Sequence, residues 1–285
     1  MSSSRLIRIV YKNDLSAYLG HWKADMNMIG NALSRRISKE EGERYRIIRY
    51  PSPFESFFFN NNDFSLMLTY LDDKLRVLEE TPITPSQFPY QSYNEAIVFL
   101  KVCYILFIIL LDNVAGIIGY FYQQNEPAIG EINKFLILLT KADNGKIPDK
   151  NFSELIRKSG AWFQEVRKRR NDLVHNYETL LISLKQNPNG GNITGQFSTT
   201  EVNPSDYKDI RDYFGFVLCE YQKFTDALLD HFDHKFDDWY GLGRGKSSRT
   251  VSIFEGNSGI MLWWAYKYGN YRNDDMQVIE NNDGS

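Results

Sequence analysis

Arg170, Asn171 and His175 are the residues whose types and spacing best suit chemistry, in the run Arg170-Asn171-Asp172-Leu173-Val174-His175-Asn176-Tyr177. An imidazole takes up and releases a proton near neutral pH. A guanidinium keeps its charge and offers a planar fork that matches phosphate oxygens, including the extra charge of a phosphorane-like transition state. Asn171, one turn before His175, can orient the imidazole or a phosphate oxygen. Cleaving RNA without a metal needs the 2′-hydroxyl deprotonated, the phosphorane stabilised and the leaving oxygen protonated, and these residue types form a minimal kit for that. Arg157, Lys158, Arg167, Lys168, Arg169 and Arg170 form a basic run opposed by little acid, and Arg167, Lys168 and Arg169 are the candidate RNA contacts. With a net charge of −3 the chain as a whole is no generic polyanion binder, so phosphate recognition has to come from such a local patch.

The element expected to position these groups is a helix from Ala161 to Gln186, with a break before it at Ser159-Gly160. Trp162, Val166, Leu173, Tyr177, Leu180 and Leu184 recur three, four or seven apart and define its buried stripe. At about 100° per residue His175 falls roughly 200° from Leu173, facing solvent, another helix or a second subunit. Lys168 and Asn171 share its face, and Arg170 sits on the flank of the stripe. Around this helix the chain reads as an all-α bundle with additional N-terminal and C-terminal segments. The expected organisation is an N-terminal segment over 1–89, a helical domain over 90–240, and a linker with an aromatic C-terminal segment over 241–285.

Within that plan, Asp14 to Ser38 has helical spacing and Tyr45 to Pro51 is short and extended. Phe54 to Phe59 is irregular, Asn60-Asn61-Asn62 is a turn, and Asp63 caps a helix to about Glu80. A long helix runs from Ser92 to about Tyr122, apolar nearly all round and therefore central. Pro127 opens a helix to about Lys141, and Asn151 to Arg157 forms another. Asn187-Pro188-Asn189-Gly190-Gly191 is a loop, followed by a short hairpin or flap over Ile193 to Val202. Pro204-Ser205-Asp206 starts a long helix through about Trp239.

The motif resembles the Arg-x4-His-x-Tyr signature of HEPN domains, the higher eukaryote and prokaryote nucleotide-binding superfamily. A Tyr two residues past the His reduces the chance expectation of the pattern to roughly one or two in a hundred. The resemblance covers about residues 92–240 and implies an α-helical bundle of a larger, stand-alone type. It implies a homodimer in which two such motifs meet in a composite ribonuclease site. It assigns Arg170 to the scissile phosphate, His175 to general acid/base work and Asn171 to a supporting role, with cleavage leaving a 2′,3′-cyclic phosphate and no cofactor. It also implies a toxin or defence context and RNA as partner. In toxin members restrained by a nucleotidyltransferase-type antitoxin the motif tyrosine is adenylylated, which here is Tyr177, although the helical wheel puts Tyr177 on the packed stripe. The alternative expectation is a non-catalytic helical module that binds RNA or a protein partner.

Other features point to structural roles. Cys103 and Cys219 lie in apolar or aromatic helices and read as core thiols, so neither a disulfide nor a zinc site is expected and a reducing cytoplasm is the natural compartment. Ile97 to Leu111 is interrupted by Lys101 and closed by Asp112-Asn113, short of the roughly 20 apolar residues of a membrane span. Asp112-Asn113 either supports the site or marks a helix end. His231 and His234, three apart, could share a metal ion, but no distant ligand set accompanies them, so no metal is expected. Gly241 to Ser247 fails phosphate-loop spacing and reads as a basic linker. The cluster around Trp263-Trp264 is expected to dock on the bundle, with base stacking as its other possible use.

Overall fold

The computed structural model describes residues 7–13, 15–20, 53–81, 88–175, 181–186, 192–198, 209–240, 251–255 and 259–280. In chain order these form β1 (Ile7–Tyr11), α1 (Pro53–Glu80), α2 (Tyr90–Asn125), a 3-10 turn (Pro127–Ile129), α3 (Phe135–Asp143), α4 (Lys150–Lys158), α5 (Gly160–His175), β2 (Leu181–Gln186), β3 (Asn192–Ser198), α6 (Ile210–Tyr240), β4 (Ser252–Glu255), α7 (Ile260–Lys267) and β5 (Met276–Glu280). Residues 15–20 are also helical, with Leu15, Tyr18 and Leu19 buried as the spacing requires. The protein is mostly helical, with two small antiparallel sheets added. The remainder of the 14–38 helix, the 45–51 extension and the 241–248 linker lie outside the described residues.

α1 and α2 form an antiparallel pair at the centre. Phe54 meets Phe121 at one end, Phe64 meets Phe107 in the middle, and Lys74 pairs with Glu95 at the other. α1 is continuous through the expected turn at Asn60-Asn61-Asn62. Phe54, Phe57, Phe64, Leu68, Leu71, Leu75 and Leu78 are all buried at helical spacing, and burying that stripe outweighs the weak helix preference of three asparagines. α2 runs from Tyr90 to Asn125, close to the expected Ser92 to Tyr122, with Asp112 inside it, and Pro127 then starts the 3-10 turn. The helix expected from Pro127 is therefore only that turn, followed by α3 from Phe135.

α2 is long and apolar enough to cross a membrane, by length and composition only, and 44% of its most apolar stretch is buried in the protein. The rest includes Val98 and Ile109, which are exposed. α5 crosses α2 through Trp162, which contacts Phe107 and Phe135. α6 closes the core with Phe224 against Phe135 and Tyr221 against Phe107.

The main correction concerns the end of α5. The expected helix to Gln186 is described only as far as His175, and Leu181–Gln186 is instead a strand paired with Asn192–Ser198. Period-two alternation explains it: Ile182 is buried, Ser183 is half-buried and Leu184 packs on the core; the expected loop at Asn187-Pro188-Asn189-Gly190-Gly191 lies outside the described residues. Leu184 thus reaches the core from a strand, and Tyr177 and Leu180 lie outside the described residues.

The N- and C-terminal segments meet in one sheet, ordered β4-β1-β5 and antiparallel throughout. Asp226 of α6 fastens it by accepting hydrogen bonds from Tyr11 of β1, from Tyr271 and from Asn273. α7 buries Trp263 and Trp264 against the bundle, as docking rather than exposure requires. Gly215 of α6 and Gly269 after α7 approach so closely that neither position has room for a Cβ.

Candidate functional site

α5 starts where Ser159, half-in and half-out of α4, turns the chain, and it buries Trp162, Phe163 and Val166. That apolar face fixes the helix against α2 and leaves its last two turns to carry polar groups. Arg170 and Asn171 are half-buried there, and His175, the last helical residue, is exposed. The wheel's placement of His175 away from the core therefore agrees with its exposure.

Arg170 gathers the group. Its Nη1 donates to Asn171 Oδ1 at 3.0 Å and lies 3.2 Å from His175 Nε2. A guanidinium has donors only, so in this contact Nε2 must accept, which leaves the imidazole proton on Nδ1. The Nε2 lone pair is then turned toward the guanidinium. At the other end of the same guanidinium, Arg170 Nε is buried and meets no acceptor among the described residues.

The basic run divides across α5. Arg167 and Arg170 act on Asp112 of α2 from one side of the helix. Arg169 instead acts on Tyr104 and Tyr213, whose hydroxyls burial holds well above the usual range. Lys168 is exposed between them. Arg157 donates to Ser153 and Lys158 lies 3.8 Å from Glu154, both within α4. The local patch beside His175 is thus Arg167, Lys168 and Arg170, with Arg169 turned toward the tyrosines. Tyr177 lies outside the described residues.

Asp112 is the neighbour whose role sequence reading left open. It lies mid-helix, so the helix-end explanation falls. Its Oδ1 accepts from the backbone N–H of Phe135 at 2.9 Å, capping the start of α3. Burial raises the carboxyl's pKa, while the Phe135 N–H, Lys134, Arg170 and Arg167 pull it back down. Next to it, Asn113 Nδ2 is buried and meets no acceptor among the described residues. The available sequence signal was a single acid between Ala96 and Asn125 in an otherwise apolar helix. Lys134 gave no such signal.

The two histidines weighed as metal ligands are committed elsewhere. His231 Nε2 bonds Tyr122 OH at 2.8 Å with its ring stacked on Phe152, and His234 Nδ1 lies 2.6 Å from Asp230 O. Among the described residues no group of three His, Cys, Asp or Glu side chains could hold a metal. Cys103 and Cys219 are free and buried.

No family model, no curated protein and no solved structure matches this chain.

Proposed function

We propose that this protein is a HEPN-type endoribonuclease that cleaves RNA without a metal, leaving a 2′,3′-cyclic phosphate, and that it works as a homodimer. The observation that carries the reading is the single guanidinium nitrogen of Arg170 serving both Asn171 and His175 at the exposed end of a basic helix. A phosphate oxygen entering that position takes over the Arg170 donors and frees His175 Nε2. The imidazole can then accept the 2′-hydroxyl proton as the 2′-oxygen attacks phosphorus, while the bond from phosphorus to the 5′-oxygen breaks. Arg170 offsets the added phosphorane charge, and Arg167 and Lys168 hold neighbouring phosphates.

The departing 5′-oxygen also needs a proton, on the side opposite the attacking oxygen. Among the described residues His231 and His234 are engaged on α6, and on the homodimer reading a second His175 from another copy is the acid that completes the reaction. In support of such pairing, Val98, Val102, Ile105 and Ile109 leave an apolar stripe at least partly exposed along α2, ending at Asp112. A cytoplasmic location suits the reading.

The test is incubation of purified protein with RNA in EDTA. Cleavage that yields cyclic-phosphate ends and is lost in His175→Ala and in Arg170→Ala supports the proposal. Excess His175→Ala mixed into wild type should lower the activity per wild-type subunit if each site draws on the His175 of two subunits. No cleavage across varied RNAs sinks the enzyme reading. One feature favours the alternative, a non-catalytic module: Leu66, Tyr70 and Val77 form an exposed apolar row on α1, with Tyr70 against Phe99 of α2. That reading requires partner or RNA binding unchanged by His175→Ala.

A further inference from the structure

Asp112 and Arg170 present complementary vacancies across the α2–α5 crossing. Asp112 uses Oδ1 on the Phe135 N–H and makes no other hydrogen bond among the described residues. Arg170 uses Nη1 on Asn171 and His175, while its buried Nε makes none. A guanidinium N–H out of water and without an acceptor is unfavourable, and so is a half-buried carboxylate oxygen without a donor. The two residues already act on each other electrostatically, and Arg167 and Lys134 are the other cations that face Asp112.

We infer that Asp112 is a positioning residue for the ribonuclease site: its free oxygen takes the Arg170 Nε–H when substrate is bound, so that the Nη face of the guanidinium is held toward the phosphate. The inference rests on the ribonuclease reading and adds a residue from a different helix to it. It also links the site to α3, because the same carboxylate caps Phe135. When a phosphate draws the Nη donors outward, the guanidinium pivots about its stem. A fixed anion on the Nε side limits that pivot to the orientation in which His175 Nε2 is released.

Asp112→Asn separates the two jobs of the carboxylate. The amide oxygen still accepts from Phe135 N–H, so the α3 cap survives, but the charge is gone and the amide N–H₂ repels Arg170 Nε–H. Asp112→Ala removes both. The expected result for Asp112→Asn is a melting temperature close to wild type, a kcat lower by about 10- to 100-fold from misplacement of one group, and a much smaller change in KM. The Arg170 Nε–H resonance, assigned by its loss in Arg170→Lys, should shift in Asp112→Asn when the protein is saturated with an uncleavable 2′-deoxy oligonucleotide. Wild-type cleavage by Asp112→Asn, or a rate loss that simply follows a loss of melting temperature, overturns the inference and leaves the ribonuclease reading standing. If wild type cleaves no RNA, the enzyme reading fails by itself. The resonance then decides the contact: a shift in Asp112→Asn supports the pairing, and no shift overturns it.

Discussion

His231 supplies the sharpest pH prediction. Its ring stacks on Phe152 with centroids 4.5 Å apart, and its Nε2 meets Tyr122 OH at 2.8 Å. Tyr122 is buried, so the hydroxyl donates to a neutral imidazole and has little access to water. Burial pushes the His231 pKa down to about 4; Lys235 and His234 act the same way, against Asp149 and Glu126. A depressed folded-state value means that the unfolded chain takes up a proton first as pH falls. The native state therefore loses stability from about 6.5 down to about 4. Between pH 7 and pH 4.5 the loss is about 2 kcal/mol, after discounting the partial exposure of the ring. His231→Phe keeps the stacking but leaves the Tyr122 hydroxyl without its partner, a penalty of about 1–3 kcal/mol at pH 7. The variant does not titrate, so its deficit at pH 7 should shrink by about 2 kcal/mol at pH 4.5, to within about 1 kcal/mol of wild type in either direction. Urea unfolding of both proteins at the two pH values measures the difference, with the remaining titrating groups shared and largely cancelling. A stability difference that stays constant between the two pH values refutes the assignment of a neutral, buried His231.

Three further outcomes are expected. Arg170→Lys keeps the charge but loses the fork that spans Asn171 and His175, and should lower single-turnover RNA cleavage by about 10²- to 10³-fold. Arg211→Met should destabilise the fold by about 3 kcal/mol in chemical denaturation. It leaves Asp72 and Glu79 of α1 without the cation that ties them to the start of α6, where the side chain is only 12% exposed. Gly269→Ala forces a Cβ into the backbone of Gly215 and should lower stability by about 1–3 kcal/mol, with a changed Trp fluorescence signal because Trp264 packs in the same joint.

The sequence was most legible where burial follows a local period. α2 and α6 were evident from apolar runs, and the last turns of α5 from the alternation of Val166 and Leu173 with charged neighbours. α1 was half legible, because three asparagines looked like a turn while the buried stripe on either side overrode them. β3 falls in the stretch expected to be a hairpin or flap, but β2 was misread because Leu180 and Leu184 also satisfy a helical spacing; the alternation of Ile182 with Ser183 competes over too few residues to decide it. The terminal sheet was not legible at all. β1 pairs with strands from the far end of the chain, and a five-residue run such as Ile7–Tyr11 carries no mark of such a distant partner. For the candidate site, Arg170, Asn171 and His175 could be picked out by spacing. Asp112 stood out as a polar residue in an apolar helix, but its relation to the site depends on how α5 crosses α2.

That crossing also explains how residues five apart come to share a contact. On an ideal helix Arg170 and His175 are separated by about 140° and are not face neighbours, as three- and four-residue spacings are. The 3.2 Å contact shows that the arginine side chain reaches as far along α5 as His175, the last described residue of that helix. The guanidinium consequently has an inner end and an outer end. Nε lies buried, with Asp112 acting on the guanidinium across the α2 crossing, while Nη1 faces Asn171, His175 and the exposed tip of the helix. An arginine can join the core and the exposed tip in this way because its donors point in several fixed directions from one planar group. A lysine concentrates its donors on one atom at the end of a flexible stem and can serve only one of the two ends. A charge-conserving replacement at position 170 is therefore as informative about this site as a charge-removing one, and a lysine variant of wild-type activity would contradict both the catalytic and the positioning role assigned to the fork.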